Sequence, residues 1–224
     1  AAVSTGGAPR WRTEGTAVRA VSGALAASAA DRVGELEYWL ARLPVSPASF
    51  GGELDRGRDR LSATSVWVHE VDPVATAALV SVVPEAVGGH VNDALLAGLS
   101  RAVRGWQESC GIIESGPLAV LVEGHGRVDE VGLGEQRFRV DVTRTVGWFT
   151  SIAPVAVDPG VDVVHALKAA KEERLGRPDE GIGFGLRRYR TQAGTDLGVE
   201  AGDADSEVAW GLAELASRPL PSVF

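Results

Sequence analysis

Apolar residues recur at helical spacing from about Thr16 to Leu43. Val18, Val21 and Leu25 form one stripe and Val33, Leu36, Trp39 and Leu40 another, and Pro44 and Pro47 end the run. Residues 1–15, with Gly6, Gly7 and Pro9, read as a loop leading into the fold, and 45–60 as a polar connector. From Thr64 to Val71 the pattern changes to alternation, with Val66, Val68 and Glu70 opposite Trp67, His69 and Val71, which predicts a strand. Asp72-Pro73 then supplies an N-cap and a first-turn proline for a helix reaching about Val83.

A second helix is expected over about Val91 to Gln107, with Val91, Leu95, Leu99, Ala102, Val103 and Trp106 on one face. Leu118–Glu123 and Gly147–Val157 read as strands, and Pro154 marks the latter as an edge or bulge. Val161 to Leu175 is amphipathic, turning Val164, Leu167, Ala170 and Leu175 inward, and Ser206 to Ser217 is a last helix. Strands alternating with helices imply an α/β sandwich in which helices cover a mostly mixed sheet. No internal repeat breaks this pattern.

Composition narrows the function classes. The 224 residues suffice for one domain or one lobe of a larger one. The net charge of −8 argues against a nucleic-acid surface, which needs clustered Lys and Arg. A single cysteine, Cys110, excludes an intrachain disulfide and fits a reducing, cytoplasmic setting. No apolar run of about 18 residues predicts a membrane span, and no signal peptide is evident. Methionine is absent even at position 1, and Pro221-Ser222-Val223-Phe224 resembles the start of a strand, so both ends read as cuts in a longer polypeptide.

The candidate chemistry gathers at Leu121-Val122-Glu123-Gly124-His125-Gly126-Arg127. A buried aliphatic strand there delivers a carboxylate, an imidazole and a guanidinium onto a glycine-flanked turn. Charges are costly at the edge of an apolar strand unless paired or used, and glycines allow close approach. Asp141 to Thr150 follows, including Arg144-Thr145-Val146-Gly147-Trp148-Phe149-Thr150, and then Gly181-Ile182-Gly183-Phe184-Gly185. From the residues alone, Glu123 is either a general base or half of an ion pair with Arg127 or Arg144. His125 either touches the reacting groups or donates a hydrogen bond to backbone. Arg127 reads as pairing with Asp141 or Asp129. Trp148 and Phe149 line a cavity or fill the core, one facing in and one out.

These blocks resemble the epimerization domains of nonribosomal peptide synthetases, within the condensation-domain superfamily. Glu123 to Arg127 matches the family's EGHGR block and Arg144 to Thr150 its RTVGWFT block. Pro178 with Gly181 to Gly185 is similar to P-x-x-G-I-G-Y-G, with Phe184 for tyrosine. Asp93-Ala94-Leu95-Leu96-Ala97-Gly98-Leu99 is similar to its D-x-LL helix. Val128 stands where the family has a glutamate, and Ala153 where it often has a tyrosine. The family's HH-x-x-x-DG motif is missing, since no two of the four histidines are adjacent.

The resemblance covers about Trp11 to the last residue and implies a chloramphenicol-acetyltransferase-like fold, of which residues 16–224 are the C-terminal lobe. It further implies inversion, L to D, at the α-carbon of an aminoacyl or peptidyl thioester. That reaction needs an acid and a base on opposite faces and a stabilised enolate. Glu123, expected in a dry cleft that disfavours its charge, and His125 are the implied catalytic residues. Gly124, Gly126, Arg127, Trp148, Phe149 and Thr150 are the implied substrate contacts. The implied partners are a carrier protein, whose phosphopantetheine presents the substrate, and the N-terminal lobe with its paired histidines. No metal or directly bound cofactor, no nucleic acid and no membrane are implied. Two alternatives stand: a condensation domain forming peptide bonds, or a silent relative that docks cytochrome monooxygenases. On this resemblance the lone chain is expected to be inactive.

The remaining candidates read as structural. His69, His90 and His165 lack metal-ligand spacing, Cys110 lacks a basic neighbour, and Ser151 lacks a G-x-S-x-G turn. The G-x-G-x-G run after Pro178 lacks a preceding strand and an acidic ribose partner, and reads as a tight crossover loop rather than a phosphate site.

Overall fold

The computed structural model describes residues 15–44, 55, 57–112, 115–132, 137–192 and 206–221. The helices are α1 (Val18–Ala27), α2 (Leu36–Leu40), α3 (Pro73–Ala77), α4 (Val83–Val87), α5 (Val91–Ser109), α6 (Val163–Gly176), α7 (Ile182–Gln192) and α8 (Ser206–Ser217). The strands are β1 (Leu118–Gly124), β2 (Glu130–Val131), β3 (Phe138–Arg139) and β4 (Ser151–Val157). Most of the loop 1–15 and of the connector 45–60, and the residues after Pro221, lie outside the described residues.

The long helix expected from Thr16 to Leu43 is instead three pieces: α1, a 3-10 turn over Ala30–Glu35, and α2. The break has a polar cause. Arg32 is fully buried there and its guanidinium is held by Glu35 and Asp179. The helix after Asp72 begins as expected, with the Asp72 carboxylate accepting from the Val74 and Ala75 amides. It runs through a π-helical stretch, Ala78–Val82, and then past Val83 as α4, ending at Gly88, whose left-handed φ of 57° closes the turn.

β1 and β4 pair antiparallel, with Leu121 opposite Pro154, Glu123 opposite Ile152 and Gly124 opposite Ser151. β2 and β3 form a second short pair. The strand expected at Thr64–Val71 is not one: the segment pairs with nothing among the described residues, and Val66, Trp67 and Val68 are exposed. Alternation alone cannot supply the ladder partner a strand requires.

The main core joins α5 and α6 to the β1–β4 pair through Ala97, Val120, Val155, Val157, Ala166 and Ala170. The buried faces of both helices differ from the expected ones. On α5, Asp93, Ala94, Ala97, Ser100, Val103 and Gln107 are buried while Leu95 and Trp106 are exposed. On α6, Ala166, Leu167, Ala170 and Glu173 are buried while Val164 and Leu175 are exposed. Small residues at the crossing let the helices approach closely, and the buried acids carry their own partners. Asp93 meets Arg174, and Glu173 binds Arg42 at 2.6 Å and accepts from the Tyr38 hydroxyl.

A second core packs Leu36, Trp39, Phe184, Leu212 and Leu215, uniting α2, α7 and α8. The glycine-rich run is therefore not a crossover loop: Pro178–Gly181 is a short 3-10 turn that passes into α7. Among the described residues no single helix is long and apolar enough to cross a membrane.

Candidate functional site

β1 carries Glu123 out of the core. Val120 and Leu121 are buried, Val122 is half-buried and Glu123 is exposed. Glu123 nevertheless lines a cavity of about 390 Å³, shared with His90, Asp93, His125, Arg174 and Glu180. The dry cleft expected around Glu123 is not what these residues provide, because the carboxylate stands at the rim, where the strand emerges. The ion pair with Arg127 or Arg144 is also not found: among the described residues, no salt bridge engages Glu123.

The turn beyond Glu123 is fixed by close backbone approach. At Gly126, φ is 60° and a Cβ would fall on the Phe149 carbonyl, so only glycine fits. The His125 Nδ1 accepts the Arg127 amide at 3.0 Å, reversing the donor role expected for this ring. A neutral imidazole so arranged carries its proton on Nε2. Arg127 does not pair with Asp141 or Asp129. Its guanidinium donates to the Val142 carbonyl and, at 3.1 Å, to that of Thr145, and lies 4.6 Å from the Phe149 ring centroid. One amino nitrogen, Nη1, serves both carbonyls while the guanidinium plane stands over the ring. Arg127 thereby ties the Glu123 turn to the Arg144–Thr150 segment.

Trp148, Phe149 and Thr150 line a second cavity of about 360 Å³ beside the first. Phe149 is half-buried and Trp148 is 89% exposed, so one ring faces in and the other out. The two cavities share Gly126, Ser151 and Ile182 in their walls. Glu123, Gly124, His125 and Gly126 line the first cavity, and Gly126, Trp148, Phe149 and Thr150 line the second. Arg127 lines neither.

The structure brings in residues that the sequence did not single out as part of a site. Asp93 is buried and its carboxylate is held by Arg174 at 2.8 and 3.0 Å and by the His90 amide at 2.8 Å. Burial pushes the Asp93 carboxyl up, but the hydrogen bonds from Arg174 and His90 and the Arg174 charge outweigh it and hold it below the usual carboxylate range. His90, at the start of α5, faces the Glu123 cavity rather than being a bystander. The signal available for this cluster was the acidic third residue of α5, which reads as a helix-capping feature. Of the remaining histidines, His69 is exposed and His165 rests on the Asp162 cap of α6. Among the described residues no cluster of His, Cys, Asp and Glu could hold a metal ion.

No family model matches the chain. A linear gramicidin synthase polypeptide from Brevibacillus parabrevis is 35% identical over 158 residues, 69% of this chain. Bacitracin synthase 1 from Bacillus licheniformis is 36% identical over 164 residues, and surfactin synthase subunit 2 from Bacillus subtilis 31% identical over 184. These cover 70% and 78% of this chain. The chain spans only 3%, 3% and 5% of the three relatives. The epimerization domain from the third module of tyrocidine synthetase B matches with a TM-score of 0.67 at 24% identity, over 88% of this chain and 42% of that one. The first condensation domain of the calcium-dependent antibiotic synthetase matches with a TM-score of 0.53 at 18% identity, over 99% and 40%. The chain thus shares the fold of these epimerization and condensation domains, and its sequence is similar to segments of nonribosomal peptide synthetases.

Proposed function

We propose that this chain is the C-terminal lobe of an epimerization domain that inverts the α-carbon of a carrier-bound aminoacyl or peptidyl thioester. The observation that carries this is Glu123: a carboxylate at the end of β1, engaged by no salt bridge among the described residues and lining a cavity whose wall shares Gly126, Ser151 and Ile182 with the cavity lined by residues 148–150. The 24%-identical structure that matches with the higher TM-score is itself an epimerization domain.

In the proposed reaction the Glu123 carboxylate accepts the α-proton, leaving an enolate of the thioester. An acid on the opposite face then returns a proton to the α-carbon, so the substrate gains and loses one hydrogen and no other bond changes. By family resemblance that acid is a histidine of the N-terminal lobe, and the substrate arrives on a phosphopantetheine arm. His125 stands two residues from the carboxylate with its Nε2 proton free to donate, which suits a contact to the thioester or enolate oxygen.

Replacing Glu123 by Gln in the parent synthetase is expected to abolish exchange of the α-proton with deuterated solvent while leaving carrier loading intact. Exchange at the wild-type rate would remove Glu123 from the mechanism. The condensation alternative is supported by the second structure, whose likeness extends over 99% of this chain. It predicts peptide-bond formation without α-proton exchange in the wild type.

A further inference from the structure

Two adjacent non-glycine residues, Asp179 and Glu180, hold φ values of 41° and 52°. Aspartate tolerates the left-handed region, but a long side chain such as glutamate seldom enters it, and such strain persists only where the surroundings dictate it. The surroundings here are specific. The Asp179 carboxylate accepts from Arg32 Nη2 at 2.6 Å, across 147 residues of sequence. Arg32 is fully buried, its other amino group donates to Glu35 at 2.8 Å, and the Trp39 indole donates to the same carboxylate at 3.1 Å. Glu35 lies so close to Gly183 that no Cβ would fit, and a Cβ on Gly181, itself at φ 92°, would press on Ala153 of β4 at 2.6 Å. The turn is thus pinned at Asp179, Gly181 and Gly183 and left with one outcome: Glu180 and Ile182 stand on the wall of the Glu123 cavity, and Ile182 on both cavities.

We propose that Arg32 and Asp179 are positioning residues for the reaction, the hydrogen bond from buried Arg32 to the Asp179 side chain locking the Pro178–Gly181 turn as a fixed wall of the Glu123 cavity. The inference rests on the epimerization function proposed above. A wall held in this way keeps the substrate α-carbon in register with the base, and a displacement of about 1 Å can cost a hundredfold in rate.

Asp179→Asn and Asp179→Ala in the parent synthetase test this, with kcat and KM for α-proton exchange expressed per folded molecule. Asparagine keeps an acceptor for Arg32 and tolerates the left-handed backbone, so it is expected to stay within about threefold of wild type. Alanine supplies neither, and kcat is expected to fall at least tenfold, on the order of the misplacement cost. Backbone amides of residues 180–183 should then exchange faster, with the β1–β4 ladder unchanged. A role confined to stability would leave kcat per folded molecule at the wild-type level in both variants, and that result overturns the proposal. Equal losses in both variants overturn it as well. Absence of α-proton exchange in the wild type overturns the epimerization function, and the positioning role with it, whereas wild-type exchange retained by Asp179→Ala sinks the positioning role alone.

Discussion

Removing the Asp93 carboxylate is the sharpest test of how the Glu123 cavity is built. Asp93 is 1% exposed, two of its hydrogen bonds come from Arg174, and a third comes from the His90 amide. Deleting one partner of a buried pair costs about 3–5 kcal/mol, because the survivor keeps an uncompensated charge. The Arg174 side chain is 23% exposed and can turn to water, which reduces that to about 2 kcal/mol. Loss of the carboxylate that caps the His90 amide adds about 1 kcal/mol. Asp93→Ala is therefore expected to destabilise by about 3 kcal/mol, and Asp93→Asn, which keeps an acceptor, by about half as much.

The pH dependence has a defined sign. The folded carboxyl lies below its unfolded value, so its contribution is fully present above roughly pH 4 and is lost as the pH falls through the folded pKa. The gap between wild type and Asp93→Asn should close over that acid range. Urea unfolding followed by tryptophan fluorescence reads both quantities. An Asp93→Ala protein within about 0.5 kcal/mol of wild type, well under the expected loss, refutes the idea that this pair fixes α5 on α6. A gap that does not change between pH 7 and pH 3 refutes the linkage.

Three further outcomes follow from the packing. Val155→Ala, at a fully buried position opposite Val120, should cost about 2–3 kcal/mol of unfolding free energy measured by urea titration, the removed methyls plus the cavity they leave. Gly126→Ala should cost at least about 2 kcal/mol, since its left-handed φ and the Phe149 carbonyl both exclude a methyl, and amide exchange at residues 124–127 should rise with it. Arg127→Lys should lose about 1 kcal/mol, because an ammonium keeps donors for the carbonyls but lacks the planar guanidinium over the Phe149 ring; an unchanged unfolding midpoint would show that Arg127 does not tie the two segments.

What could be read in advance divides along the range of the interaction. The last helix, Ser206–Ser217, and the proline start after Asp72 depend on local spacing and caps, and both stand where the sequence puts them. The face of α5 does not, because Asp93, Ser100 and Gln107 turn inward and leave Leu95 in solvent. A polar residue can be buried when its partner lies on another element, and Arg174 is 81 residues away from Asp93. Arg32 breaks the first helix for the same reason, with its partner Asp179 much further along the chain. The motifs Glu123–Arg127 and Arg144–Thr150 were legible as a candidate site, and their union through Arg127 was not. A carbonyl acceptor carries no sequence signature, so the arginine suggested an acidic partner instead.

Glu123, the base proposed above, is placed without an ion pair to hold it. The β1–β4 ladder sets it opposite Ile152, and a slip of one residue would send every side chain of β1 to the other face. Val122 would then stand at the rim, and the carboxylate would enter the apolar layer that Val120 and Val155 occupy. Burying an unpaired carboxylate costs several kcal/mol at least, so the register is locked by the very residue it positions. A base fixed by an ion pair has to give up that pair to take a proton. One fixed by backbone hydrogen bonds gives up nothing, and its carboxylate lines the cavity without an ion-pair partner among the described residues.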